Sequence, residues 1–254
     1  MPRRKPADSQ SLHAYVDGAI ARTRPGQIEF NPLNLLLGIV LIPLVWVTLS
    51  TVWHAVATVT VQHSFWKTPQ FWFFHMGIAL WTLFYIGFRG PFMMFAYVFG
   101  HEWTHACFAI LCGGKLLRKP VITPSGGEVV TTKNNLIISL SPYFVPFYSV
   151  LLGILYLVLG AFFELGTDFE RWFYGLTGFS WGFHITFTFW MLVRSQPDLH
   201  YNGRFFSLTF IALVNVLILA ALFVMASPTV GWLEFGQVWW ATVQDLGARL
   251  WVFR

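Results

Sequence analysis

Four stretches of this chain, 68–88, 134–163, 172–193 and 205–233, contain no charged side chain. Each matches or exceeds the roughly 20 residues that an α-helix needs to cross the hydrocarbon of a bilayer. A fifth run spans 30–66, and a sixth, from Pro91 to Gly113, is interrupted by one acid, Glu102. Lipid offers the backbone no hydrogen-bond partners, so such segments must satisfy their N–H and C=O groups internally, as helices. With 56% apolar residues, 11% charged residues and a mean hydropathy of +0.60, the chain lies outside the range of a water-soluble domain. We expect an all-α polytopic membrane protein with about six transmembrane helices, at 32–58, 70–88, 91–113, 134–163, 172–194 and 205–228.

The flanks read differently. Arg3, Arg4 and Lys5 open the sequence without the short apolar core and small-residue cleavage site of a signal peptide. Residues 1–30 are expected to be a basic tail with a possible amphipathic helix over 9–23, and 229–254, carrying four Trp among polar residues, an interfacial segment. A net charge of +5 points to the anionic headgroups of a lipid bilayer, not to nucleic acid. A bacterial plasma membrane is the expected location. Cys107 and Cys112 are too few and wrongly spaced for a structural metal site or a disulfide framework, and are expected in the core.

The longest polar connection, 114–133, reads GKLLRKPVITPSGGEVVTTK. Pro-Ser-Gly-Gly separates the β-branched stretches Val121-Ile122-Thr123 and Val129-Val130-Thr131-Thr132, which predicts a small β-hairpin loop. It follows directly on the segment that carries the chemistry.

That segment contains His101-Glu102-Trp103-Thr104-His105, the H-E-x-x-H pattern. Histidines at i and i+4 share a helical face with Cβ atoms about 5–6 Å apart, a spacing that chelates one zinc ion. Glu102 projects about 100° round the helix from His101, where it can reach a water at the metal without ligating it, as a general base. Three ionisable groups within one turn of a spanning helix cost several kcal/mol to insert, so functional use is the default reading. Ala96, Gly100 and Thr104 make a small-residue stripe on the same helix, suited to close approach by a neighbour.

A catalytic zinc usually has three protein ligands and an open fourth position, so another ligand must come from elsewhere in the chain. Asp198 follows Pro197 in a break between two predicted spans, and non-helical backbone at that depth is tolerated where it lines a cavity. His184, near the middle of the fifth span, is the competing candidate. His54, His63, His75 and His200 have no partner pattern.

With HEWTH in a spanning helix, Cys-Gly-Gly at its exit, a Gly-containing hairpin loop, two further spans and Pro197-Asp198 at a helix break, the chain resembles the site-2 protease family of intramembrane zinc metalloproteases. The resemblance covers 91–228 as a metalloprotease membrane core and leaves 31–90 as two additional spans. It implies a Zn2+ metalloendopeptidase with His101, His105 and Asp198 as metal ligands and Glu102 activating water. Its substrate would be a membrane-spanning or membrane-anchored protein presented by the hairpin loop. The chain departs from the family in the third-ligand motif: Gln196-Pro197-Asp198-Leu199, with Asn202-Gly203 after it, stands in place of Asn-x-x-Pro-x-Pro-x-Leu-Asp-Gly. Two further readings remain: a zinc protease clipping substrate tails at the membrane surface, and a non-catalytic metal-binding membrane protein such as a chaperone or transporter.

Overall fold

A computed structural model describes residues 31–62, 65–88, 90–194, 196–227 and 229–252. The basic tail, the amphipathic helix expected over 9–23 and His63 lie outside the described residues. The described residues are 79% helical. Its long helices are α1 (Pro32–Gln62), α2 (Pro69–Gly87), α3 (Pro91–Leu111), α5 (Phe147–Phe162), α6 (Thr167–Leu192), α8 (Arg204–Ala226) and α9 (Trp232–Val252). Between them come β1 (Val121–Thr123), β2 (Gly126–Glu128) and two short helices, α4 (Leu136–Leu140) and α7 (Pro197–His200).

Six crossings are not supported. Among the described residues, two helices, over Pro32–Val59 and Arg204–Met225, are long and apolar enough to cross a membrane, and a third crossing exists if the bent pair Leu136–Tyr143 and Phe147–Phe162 counts as one. Freedom from charge is a weaker property than apolarity. Helices α2, α3 and α6 have the length, at 19, 21 and 26 residues, but Trp, Tyr, His, Thr and Gly dilute their hydropathy, and α3 also carries Glu102. The fourth run is broken because Pro142 and Pro146 end one helix and start another, with an 86° bend between them.

Packing is organised in pairs. At the α2–α6 contact, a Cβ on Gly77 would strike the carbonyl of Gly175, and one on Gly178 would strike that of Phe74. Backbones meet there because neither glycine carries a side chain. The Trp81 indole donates from Nε1 to Thr186 Oγ1 at 2.9 Å, and Trp81 packs with Met93, Tyr97, Val98 and Phe187, joining α2, α3 and α6 in one core. Helix α1 lies on α8, with Gly38 against the Phe205 ring. The C-terminal α9 packs on α1, where Trp239 Nε1 donates to Thr48 Oγ1 at 3.0 Å. The two N-terminal helices thus pack against late elements of the chain, α1 on α8 and α2 on α6.

The small-residue stripe of α3 receives the start of α5. Tyr148 donates its hydroxyl to the Ala96 carbonyl at 2.6 Å, and Phe147 and Tyr148 lie over Gly100.

The hairpin forms with a shorter second strand than the β-branched pattern predicts. Strands β1 and β2 pair antiparallel as Val121↔Glu128, Ile122↔Gly127 and Thr123↔Gly126, across a Pro124-Ser125 turn. Residues 129–132 form no strand: Thr131 makes an isolated bridge to Leu116, and Leu117 N donates to Val130 O at 2.9 Å. The two-residue turn sets the register, so pairing starts at Gly126, where φ is 154°. Cys107 is exposed on α3, not in the core, because the buried face of that helix is taken by the motif side chains.

Candidate metal centre

Helical spacing places His101 and His105 one turn apart on α3, with their Nε2 atoms 3.2 Å from each other. Asp198 enters from α7, a single turn that Pro197 opens in the connection between α6 and α8. Its Oδ2 lies 3.4 Å from His101 Nε2 and 3.4 Å from His105 Nε2. Among the described residues, these three form a group that can hold a metal ion. A tetrahedral ion about 2.0–2.1 Å from each ligand would hold them about 3.3–3.4 Å apart. The observed triangle has these dimensions, and two imidazoles with one carboxylate suit zinc as well as other first-row divalent ions.

Each ligand is held by a second group. His105 donates from Nδ1 to the Ile138 carbonyl at 2.7 Å, which leaves the Nε2 lone pair facing the cluster. His101 Nδ1 pairs with the Tyr97 hydroxyl at 3.0 Å, one helical turn earlier on α3. Tyr143, fully buried, donates its hydroxyl to Asp198 Oδ2 at 3.2 Å and sets its ring edge-on to His101. Tyr143 is held in turn by Asn215 on α8, whose Nδ2 donates to the Tyr143 carbonyl at 3.0 Å. Burial pushes the Asp198 carboxyl up, but His105 and His101 beside it outweigh that and hold it below the usual carboxylate range.

A groove of about 530 Å³ opens onto the triangle, walled by α3, the hairpin segment and the α6–α7 connection. Glu102 lines it and is buried. The hairpin lies directly on this carboxylate. A Cβ added at Gly127 would stand 2.7 Å from both Glu102 Oε1 and Val98 Cγ1, and closer still to Glu102 Cγ. Only glycine permits that approach. Arg118 pairs with Glu128, which also lines the groove.

His184 is not in the cluster. It is buried on α6 and lines a small cavity of about 20 Å³ together with His101 and Ser180, and its Nε2 has no hydrogen-bond partner among the described residues. His54 and His75 contact their own helices, through Thr58 and the Phe71 carbonyl. Sequence reasoning missed Tyr97, Tyr143 and Gly127. Tyr97 had a local signal, standing four residues before His101; Tyr143 and Gly127 reach the site only through the tertiary fold.

No family model, curated protein or solved structure matches this chain.

Proposed function

We propose that the protein is a multi-pass membrane metalloprotease, with zinc held by His101, His105 and Asp198, that hydrolyses peptide bonds of membrane-spanning or membrane-anchored proteins. The observation that carries this reading is the ligand triangle, with edges of 3.2, 3.4 and 3.4 Å, opening into the same groove as the buried Glu102. A site evolved only to bind a metal does not need a carboxylate beside the triangle and outside it. This counts against the chaperone or transporter reading.

Zinc at this site would supply Lewis acidity, drawing charge from a carbonyl oxygen and easing the deprotonation of water. The chain's own residues do the rest. Tyr97, Ile138 and Tyr143 fix the three ligands, so that their geometry is set before substrate arrives. Glu102 takes the proton of the attacking water at a carboxylate oxygen and passes it to the leaving amine nitrogen. A helical substrate hides its peptide bonds in internal hydrogen bonds, so it must be extended before cleavage. The hairpin, with β2 exposed along Gly126–Glu128, offers an edge on which an extended segment can pair. The groove of about 530 Å³ would take water and part of an extended segment beside the triangle.

In this reading α1 and α8 cross the membrane, the bent pair of α4 and α5 can supply a third crossing, and α2, α5 and α6 pack on α3 and cover its polar centre. The membrane is that of a bacterial cell. The test is cleavage of a panel of detergent-solubilised single-span fusion proteins by wild type and Glu102→Gln. The reading expects wild-type cleavage, and loss of it in Glu102→Gln with metal content unchanged; cleavage at the wild-type rate by Glu102→Gln would sink it.

A further inference from the structure

Arg194 follows the end of α6 and lines the groove that leads to the ligand triangle. Arg194 is exposed, and its guanidinium lies over the Trp190 ring, 3.5 Å from the ring centroid, a contact that favours one orientation of the fork. Among the described residues it forms no ion pair, whereas the other charges at the groove are engaged or assigned: Glu128 pairs with Arg118, and Asp198 meets the two histidines. Glu102 lies against the hairpin at Gly127 and makes no ion pair with Arg194. A cation after a helix C-terminus often serves the terminal carbonyls, but Arg204 already does so here, donating from Nη2 to the Leu192 carbonyl at 3.0 Å. Arg194 is therefore an oriented fork of donors with no ion-pair partner among the described residues, at the rim of the groove, and such a fork recognises a carboxylate.

We propose that Arg194 is a specificity-determining residue: it docks the carboxylate of an Asp or Glu side chain of the substrate and so selects substrates with an acidic residue at one fixed position relative to the bond cut. This inference rests on the peptide-hydrolysis reading and deepens it. Because binding can be measured without turnover, the two can fail separately.

The experiment uses full-length Glu102→Gln protein in detergent, with metal content verified, and fluorescein-labelled apolar decapeptides carrying a single Asp, Asn or Lys at each position in turn. Anisotropy should show Asp favoured over Asn at one position by about tenfold in Kd, the size of one charge-assisted contact. Adding Arg194→Gln should abolish the preference. Adding Arg194→Glu should turn it to Lys at the same position, a reversal that a merely damaged fold does not produce. An Asp preference that survives both substitutions, or no preference at any position, overturns the proposal while leaving peptide hydrolysis standing if wild type cleaves its fusions. Were Arg194→Glu to reduce only phosphatidylglycerol retention in nanodiscs, with peptide selectivity unchanged, the residue would be a headgroup anchor and the proposal wrong. Failure of every peptide to bind the metal-loaded protein overturns it together with the hydrolysis reading.

Discussion

The approach of the hairpin backbone at Gly127 to Glu102 leaves no room for a side chain. In Gly127→Ala the new methyl would stand 2.7 Å from Glu102 Oε1 and from Val98 Cγ1, where carbon atoms prefer about 3.5–4.0 Å. About 1 Å of displacement is required. The hairpin cannot supply it freely, because Ile122 pairs with Gly127, Thr123 donates its hydroxyl to the Gly126 carbonyl at 2.7 Å, and Leu117 and Thr132 tie the flanks. Glu102 moves, the hairpin lifts, or both do. Misplacing a catalytic group by about 1 Å costs roughly 100-fold in rate, equivalent to about 2.7 kcal/mol of transition-state stabilisation. Gly127→Ala should therefore lower kcat/KM on a single-span fusion protein about 100-fold while metal content stays at the wild-type value, since His101, His105 and Asp198 are untouched. Val121→Thr, on the exposed first strand of the same hairpin and outside the groove lining, is the control and should stay near wild type. A Gly127→Ala protein active within threefold of wild type would refute the reasoning about how the hairpin meets Glu102.

Tyr97→Phe and Tyr143→Phe each remove one partner of a ligand and should weaken metal binding about 10-fold to 100-fold, read by competition with a chelator, without loss of the helical circular dichroism signal. Asn215→Leu removes the hold on the Tyr143 carbonyl and should weaken metal binding in the same direction, by less than Tyr143→Phe. Gly178→Leu forces a side chain into the Phe74 backbone at the α2–α6 contact and should lower the thermal midpoint in detergent sharply, by the 1–3 kcal/mol or more typical of overpacking. Arg118→Gln breaks a pair whose side chains are 39% and 49% exposed, and should change stability by less than about 1 kcal/mol in a denaturation experiment.

What can be read from this sequence divides by the range of the interaction. The histidine pair is local, set by a spacing of four on one helix, and the helices themselves follow from long stretches without charge. Asp198 drew attention because Pro197 opens a break between helices and leaves an acid at a place where backbone can line a cavity. Of the outer partners, Tyr97 had a local signal, four residues before His101, and the others had none. His105 reaches Ile138 across 33 positions and Asp198 reaches Tyr143 across 55, contacts fixed by how α4 and the Ser141–Tyr143 turn fold back on α3. The number of crossings was overread for a different reason. Aromatic and small polar residues carry no charge but add little hydropathy, so α2, α3 and α6 resemble spans by length and not by composition. The hairpin was placed correctly at its first strand and shifted at its second, because turn geometry, not β-propensity, chose which residues pair.

The most direct test of the account is the metal content of detergent-purified protein, measured for wild type beside His101→Ala, Asp198→Ala and His184→Ala. The account predicts one zinc per chain in wild type and in His184→Ala, and loss of it in His101→Ala and Asp198→Ala. A folded wild-type protein that takes up no zinc, or that keeps it without Asp198, would contradict the assignment of the site.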